Sequence, residues 1–324
     1  MYSREELSTL IEEYIARLSL PDTPKTLYEP ISYSLEKGGK RLRPLLTLMS
    51  CNVFCNDVQR ALPCAAAVEV FHNFTLLHDD IMDNAAVRRG KPAVHRKWGV
   101  NSAILSGDAM MICSYRLLES VSPEILPRIL SVFNDTSLKV CEGQQYDMDF
   151  ESVERVSMEE YLHMISLKTS VLLAGAAVIG AITGNADRED CDHIYAFAMN
   201  TGMAFQIKDD LLDSYGDQSS FGKKIGGDIL EGKKTFLTTA SMESADDDTR
   251  LKLRGLLHNK EMIADEKINR VLAIYDKLGV KRMAEETIEK YTHIAIRELE
   301  QIKADPERVM PLKRLAQELT GRIY

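Results

Sequence analysis

Several features that mark other protein classes are missing from this sequence. The 324 residues carry a net charge of −9, so the basic excess of nucleic-acid-binding proteins is absent. The N-terminal residues alternate charged and apolar side chains, unlike a secretory signal peptide. The most apolar run, residues 170–184, is rich in small side chains and shorter than the roughly 20 residues of a membrane span. We therefore expect a cytoplasmic protein without a transmembrane segment.

Proline is also missing from residues 128–305, and no Gly/Ser linker or low-complexity tract interrupts the chain. Apolar residues recur there at three- and four-residue spacing, whereas strand-like alternation is scarce. This pattern predicts an all-α protein of ten or more helices in a single domain, residues 1–324. Residues 171–183 are apolar on nearly all sides, which favours a place inside the bundle. Ser157 and Glu160 form a predicted capping box.

The cysteines do not form a recognisable metal or disulfide pattern. Cys51 and Cys55 would share a helix face, but no second Cys/His pair completes a zinc site. We interpret all six cysteines as buried free thiols in a reducing compartment.

Two clusters of aspartate follow apolar helical runs, and both have the pattern D-D-x-x-D. Like charges one helical turn apart repel each other, unless a cation lies between them or water solvates them well. One such cluster is equally well explained as a solvated helix end, but two favour binding of hard divalent cations such as Mg²⁺, whose sites are completed by substrate phosphates. The clusters comprise Asp79, Asp80 and Asp83, and Asp209, Asp210 and Asp213.

Several basic residues of the chain could bind the phosphate groups of such a substrate. P-loop and Rossmann glycine patterns are absent, which favours a diphosphate with an apolar remainder over a nucleotide. The double glycine at 38–39 would allow close backbone approach. For Arg41, Lys224 and Lys234 the sequence favours ordinary solvated charge. The candidate cations are Lys40, Arg43, Arg88, Arg89, Lys168, Lys223 and Lys233.

Taken in order, these motifs resemble the trans-isoprenyl diphosphate (polyprenyl) synthases. They span well over half of the chain. The matching segments are G-G-K-R-x-R-P at 38–44, L-L-H-D-D-x-x-D-x-x-x-x-R-R-G at 76–90, G-D at 107–108, G-Q-x-x-D at 143–147, K-T-S at 168–170, F-Q-x-x-D-D-x-x-D at 205–213, G-K-K-I-G-G-D at 222–228 and G-K at 232–233.

The resemblance implies an orthogonal helical bundle around a deep central cavity, usually homodimeric, with three Mg²⁺ ions in the loaded site. By the same resemblance Asp79, Asp83 and Asp209 would be metal ligands, with Asp80 and Asp213 as supporting or alternative ligands. The allylic diphosphate would contact Arg88, Lys168, Thr169, Gln206, Lys223 and Lys233. Isopentenyl diphosphate would contact Lys40, Arg43, His72 and Arg89. Two adjacent lysines, Lys223 and Lys224, leave open which one binds the diphosphate.

The implied reaction joins isopentenyl diphosphate to an allylic diphosphate (dimethylallyl, geranyl or farnesyl) through an allylic carbocation. In such enzymes the residue five places before the first aspartate helps to set product length. Here that residue is Phe74, with Thr75 next to it and Phe71 preceding it. A single ring and an uninterrupted aspartate motif most resemble synthases of the twenty-carbon product, geranylgeranyl diphosphate, and fifteen-carbon farnesyl diphosphate is a close alternative.

Two other functions fit part of the pattern. A terpene cyclase of the same fold would carry an N/D-x-x-x-S/T-x-x-x-E motif where this chain has its second D-D-x-x-D. A non-catalytic regulatory subunit would have lost one aspartate cluster, and this chain has both.

Overall fold

The computed structural model describes residues 1–36, 39–216 and 226–321. Within these ranges the chain is almost entirely helical, so the all-α prediction is confirmed. The first helices are α1 (Arg4–Ala16), α2 (Lys25–Leu35), α3 (Leu42–Phe54), α4 (Leu62–Met82), α5 (Val94–Trp98) and α6 (Val100–Leu118). The middle helices are α7 (Leu126–Ser152), α8 (Met158–Ile165), α9 (Val171–Thr183) and α10 (Arg188–Tyr215). The last are α11 (Gly227–Glu231), α12 (Phe236–Ser244), α13 (Asp247–His258), α14 (Ala264–Leu278), α15 (Val280–Leu299) and α16 (Pro306–Thr320).

The helices divide into two compact units. The first comprises Met1–Asn134, Gly175–Ile194 and Ile302–Leu312. The second comprises Asp135–Ala174, Tyr195–Gln301 and the chain from Lys313 onward. Helices α7, α9, α10 and α16 each contribute residues to both units. The single domain expected from the sequence stays a prediction.

In the first unit, α4 is the central helix. It packs against α3 and α6. Ala65, Ala66 and Ala67 are fully buried, because small side chains let neighbouring helices approach closely. The apolar body of α4 therefore fixes the helix in place, and its C-terminal end carries the first aspartate motif.

In the second unit, the end of α10 lies against a core formed by α12, α14 and α15. Ile207 of α10, Leu237 of α12 and Tyr275 of α14 are each 0% exposed and belong to this core. The second aspartate motif begins two residues after Ile207, so the packing of α10 determines where its carboxylates point.

One long helical run consists of three segments. A π-helical turn, Ser166–Ser170, joins α8 to α9, so that Met158–Thr183 forms a continuous run of 26 residues. By length and composition this run could cross a membrane, but 78% of its most apolar window is buried inside the protein. The predicted interior position of residues 171–183 is therefore confirmed. The capping box is also present, since the Ser157 hydroxyl accepts from the Glu160 N–H at 3.2 Å.

The cysteine prediction needs correction. All six thiols are free, but Cys141 is exposed, and Cys55 and Cys113 are only half-buried. Burial of every cysteine was therefore a wrong prediction, because Cys141 lies on a solvent-facing side of α7. Two short strands, β1 (Val87–Arg88) and β2 (Lys91–Pro92), form an antiparallel hairpin after α4 that the helical periodicity did not indicate.

Candidate active site

The first aspartate motif lies at the end of α4. The Asp83 N–H donates to the Asp79 carbonyl at 2.9 Å, so these residues are one helical turn apart, as predicted. Asp79 is half-buried, Asp80 is buried and Asp83 is exposed. Because neighbouring residues of a helix point in different directions, Asp80 faces the protein while the other two carboxylates share a more open side.

The β-hairpin places Arg88 beside these carboxylates. Its Nε and Nη2 donate to Asp80 Oδ1 at 2.8 and 2.5 Å, and Nη2 lies 3.3 Å from Asp79 Oδ2. Burial lowers the pKa of Arg88, but its hydrogen bond to Asp80 and the charge of that carboxylate outweigh burial and raise it. Arg88 thus balances the charge of the buried Asp80 through two short hydrogen bonds, and it contacts the half-buried Asp79 at a longer distance.

Arg43 and His72 form a second cationic element in the first unit. Arg43 Nη1 lies 3.0 Å from His72 Nε2. Burial, and then the charge of Arg43, hold the pKa of His72 well below its usual value, so the ring is neutral and accepts this hydrogen bond. Burial lowers the pKa of Arg43 to about 10, which leaves it charged at neutral pH. Among the described residues, nothing accepts a hydrogen bond from the buried Arg43 Nε.

Arg41 is not the solvated charge that the sequence favoured. Its side chain is 2% exposed, and Nη1 donates to Glu69 Oε1 at 2.6 Å. Nη2 donates to the Leu35 carbonyl at 2.6 Å, and Nε to Glu12 Oε1 at 3.2 Å. The interpretation was wrong because Glu69 lies on another helix, beyond the reach of local pattern analysis. Arg41 therefore links α2 and α3 to α4.

Arg89 and Lys40, the other candidates for the isopentenyl diphosphate site, lie close to the Arg41–Glu69 ion pair. Arg89 Nη1 donates to Asn73 Oδ1 at 3.4 Å. A methyl group on Gly39 would lie 2.9 Å from Arg89 Cζ, so the close approach expected for the double glycine occurs at this residue. Lys40 is exposed. Gly38 lies outside the described residues.

Aromatic rings line the side of α4 that carries the predicted chain-length residues. Phe74 is half-buried, and its ring centroid lies 5.5 Å from Phe71 and 4.8 Å from His78. Phe71 is 1% exposed and lies 5.4 Å from Phe133. The Thr75 hydroxyl donates to the helix backbone one turn earlier, at 2.8 Å. Phe74 is therefore the outermost of three successive rings.

In the second unit, the π-helical turn presents the allylic-site candidates Lys168 and Thr169. Lys168 Nζ lies 2.5 Å from Asp147 Oδ2, and the Thr169 hydroxyl donates to Gln206 Oε1 at 2.9 Å. The turn is π-helical because the Val171 N–H donates to the carbonyl of Ser166, five residues earlier. Asp147 belongs to the G-Q-x-x-D motif, whose role could not be inferred from the sequence.

The second aspartate motif has the same inner and outer division as the first. Asp209 is exposed and Asp213 half-buried, whereas Asp210 is buried. Asp210 accepts from the Tyr161 hydroxyl at 2.5 Å, from the Phe236 N–H at 2.8 Å and from Gln206 at 2.9 Å. Burial raises the pKa of Asp210 to about 6, although these donors oppose the rise.

A further carboxylate, Asp228, belongs to this cluster and was missed at the sequence level. Its N–H donates to Asp213 Oδ2 at 3.0 Å. Burial, and then the charges of Asp213 and Asp210, raise the pKa of Asp228 to about 7. Crowded carboxylates of this kind fit an oxygen-liganded divalent cation, which would relieve their repulsion. The described residues contain no group of three or more His, Cys, Asp or Glu side chains arranged to hold a metal by themselves.

The lysines near this cluster differ in their surroundings. Lys233 is exposed, and its Nζ lies 3.1 Å from Glu231 Oε2. Lys234 is half-buried, and burial lowers its pKa, so the prediction of ordinary solvated charge was wrong in part. Lys223 and Lys224 lie outside the described residues.

Comparison with known proteins agrees with this arrangement. The polyprenyl synthetase family model matches residues 24–275. A geranylgeranyl diphosphate synthase of Methanosarcina mazei is 41% identical over 249 residues, covering 73% of this chain and 77% of its own length. A geranylfarnesyl diphosphate synthase of Natronomonas pharaonis is 36% identical over 251 residues, covering 72% and 74%.

A crystal structure of a geranylgeranyl pyrophosphate synthase superposes with a TM-score of 0.95 at 44% identity, covering 99% of both chains. The fold is thus the all-α isoprenoid synthase fold expected from the resemblance. The range matched by the family model contains both aspartate motifs and all the candidate cations. The chain therefore belongs to the polyprenyl synthetase family of prenyltransferases, which elongate prenyl diphosphates.

Proposed function

We propose that the protein catalyses Mg²⁺-dependent head-to-tail (1'-4) condensation of isopentenyl diphosphate with an allylic diphosphate, releasing diphosphate. The observation that supports this proposal best is that a chain of this family carries both aspartate motifs together with the candidate diphosphate-binding cations. Both D-D-x-x-D motifs are intact, and each unit contains candidate diphosphate-binding cations as well as one aspartate motif.

We assign the metal ligands to the outer carboxylates of each motif. Asp79 and Asp83 share one side of the end of α4, and Asp209 and Asp213 are the accessible aspartates of the second motif. Asp80 is buried and accepts two hydrogen bonds from Arg88, which also contacts Asp79. Three Mg²⁺ ions, when bound, would neutralise the allylic diphosphate and promote its departure as a leaving group.

The cations divide between two diphosphate sites. We assign Arg88, Lys168, Lys223 and Lys233, with Thr169 and Gln206, to the allylic diphosphate. Lys40, Arg43, His72 and Arg89 would bind the diphosphate of isopentenyl diphosphate. The neutral His72 ring orients the Arg43 guanidinium without cancelling its charge, which favours binding of an anion there.

The reaction then needs a dry, apolar environment. Departure of the diphosphate leaves an allylic carbocation, which the double bond of isopentenyl diphosphate attacks. The new carbon–carbon bond transfers the positive charge, and loss of a proton, taken up by the released diphosphate, completes the product. Water would trap the cation as an alcohol. The rings of Phe74 and Phe71 supply apolar surface close to the first motif.

Product length follows from the same rings. The single half-buried Phe74 in front of buried Phe71 favours a twenty-carbon product, geranylgeranyl diphosphate, with farnesyl diphosphate as the close alternative. A geranylgeranyl and a geranylfarnesyl diphosphate synthase match this chain at similar identity. The assignment of product length therefore depends on Phe74 and Phe71 rather than on overall similarity.

We further propose a cytoplasmic homodimer. Helix α6 exposes Val100, Ile104, Leu105 and Ile112, with Leu105 60% exposed. An exposed apolar face of this kind is typical of a subunit interface. Sedimentation equilibrium of the wild type tests this assignment, and a monomer at all concentrations would contradict it.

The decisive experiment incubates the purified protein with Mg²⁺, labelled isopentenyl diphosphate and each of the three allylic primers. Chromatography of the dephosphorylated products should show a linear prenyl alcohol of twenty carbons. A cyclic hydrocarbon would instead identify a terpene cyclase, and absence of product from every primer would favour a non-catalytic subunit.

A further inference from the structure

Two helices of the second unit contact the π-helical turn through glycines. A methyl group on Gly143 of α7 would lie 2.2 Å from the backbone nitrogen of Lys168 and 2.6 Å from its Cα. A methyl group on Gly202 of α10 would lie 2.7 Å from Ser170 Cα and 2.8 Å from its Cβ. Non-bonded heavy atoms do not approach so closely, so the turn occupies the space that a side chain would need.

The same two helices bind side chains of the turn, each one helical turn after its glycine. On α7, Asp147 pairs with Lys168 Nζ at 2.5 Å. On α10, Gln206 accepts from the Thr169 hydroxyl at 2.9 Å. Residues four apart lie on one helix face. Each helix therefore presents a glycine to the backbone of the turn and a polar group to one of its side chains.

We propose that Gly143 and Gly202 are positioning residues for the allylic diphosphate. The glycines let the turn lie against α7 and α10, and the turn so held directs Lys168 and Thr169. This inference rests on the proposed function, in which those two side chains contact the diphosphate. A side chain at either glycine would displace the turn, and a misplacement of about 1 Å can reduce a rate roughly a hundredfold.

The test compares two alanine variants with two matched controls. Gly143→Ala and Gly202→Ala should raise the KM for the allylic substrate about ten- to a hundredfold, as expected for loss of a charge-assisted contact. Their KM for isopentenyl diphosphate should be nearly unchanged. Gly180→Ala controls for lost stability, because its methyl would lie 2.0 Å from the Thr47 carbonyl in the first unit. Gly255→Ala controls for the substitution itself, because no heavy atom lies within 4 Å of its added methyl.

A second readout does not depend on turnover. With Mg²⁺ present, inorganic diphosphate should raise the melting temperature of the wild type, Gly180→Ala and Gly255→Ala. It should do so much less in Gly143→Ala and Gly202→Ala. Hydrogen exchange of peptides covering residues 166–171 should accelerate in those two variants only, because the Val171 N–H to Ser166 carbonyl bond would be disturbed.

The outcomes separate this inference from the proposed function. A wild type that converts no substrate pair would refute the function, while the diphosphate and exchange measurements would still test the positioning role. An active wild type whose two glycine variants keep the wild-type allylic KM would refute the positioning role alone. Equal increases in the KM values for both substrates would identify these glycines as purely structural. The same conclusion would follow if both variants unfolded under conditions in which Gly180→Ala stays folded.

Discussion

Replacement of Phe74 by alanine tests whether this ring limits the length of the product. The ring is half-buried, contacts Phe71 at 5.5 Å between centroids and lies five residues before Asp79. Phe74→Ala would remove the outermost ring and leave Phe71 and Phe133 in place. We expect the variant to fold and to make products longer than twenty carbons.

The loss of stability expected for Phe74→Ala follows from how deeply the ring is buried. Truncating a fully buried phenylalanine costs about 3–5 kcal/mol, and a half-buried ring such as Phe74 should cost about 1.5–3 kcal/mol, because part of its surface has no packing partners. An isoprene unit of five carbons that enters the new space would gain up to about 4 kcal/mol, at roughly 0.8 kcal/mol per buried CH₂. Elongation by one further unit is therefore favourable in the variant.

The assay is chromatography of dephosphorylated products from wild type and variant at equal substrate ratios. Phe54→Ala is the matched control, because Phe54 is also half-buried in the first unit but lies at the C-terminal end of α3. It should lose similar stability and keep the wild-type product. Phe71→Ala should cost the full 3–5 kcal/mol expected for a buried ring and lengthen products further only in combination with Phe74→Ala.

An unchanged product from a folded Phe74→Ala variant would refute this reasoning. Phe74 would then be a packing residue, and Phe71 or Thr75 would be the next residues to test. Longer products from Phe54→Ala would also contradict it, since general loosening of the unit rather than removal of a specific wall would then control length.

Three further predictions concern charge. Asp209→Ala should leave the fold intact, because Asp209 is exposed, and should lower kcat by several orders of magnitude; near-normal turnover would contradict metal binding by this carboxylate. Arg43→Ala should raise mainly the KM for isopentenyl diphosphate and Lys168→Ala that for the allylic substrate, each about ten- to a hundredfold, and equal effects on both substrates would refute the two-site assignment. Glu69→Gln should lower the free energy of unfolding by about 1.5–3 kcal/mol in a denaturant titration, because the buried Arg41 keeps only the Glu12 carboxylate as a charged partner; an unchanged midpoint would show that the Arg41–Glu69 ion pair contributes little.

Helical periodicity and spacing in the sequence were sufficient for much of this description. The three- and four-residue recurrence of apolar side chains predicted the all-α fold, and the four-residue interval predicted that Asp79 and Asp83 share one side of a helix. The interior position of residues 171–183 followed from their apolar composition. These predictions succeeded because each depends on geometry within a single helix, which local sequence specifies.

Only the tertiary structure showed which partner packs against a given face of each helix. Arg41 was expected in solvent, but it is buried against Glu69, 28 residues away along the chain. Asp210 and Asp209 are adjacent and identical in type, yet only Asp210 faces the Tyr161 hydroxyl in the core. The roles of Gly143 and Gly202 likewise depend on a turn contributed by another part of the chain. A pattern specifies the face that a residue occupies, whereas burial, pairing and pKa depend on the partner that packs there.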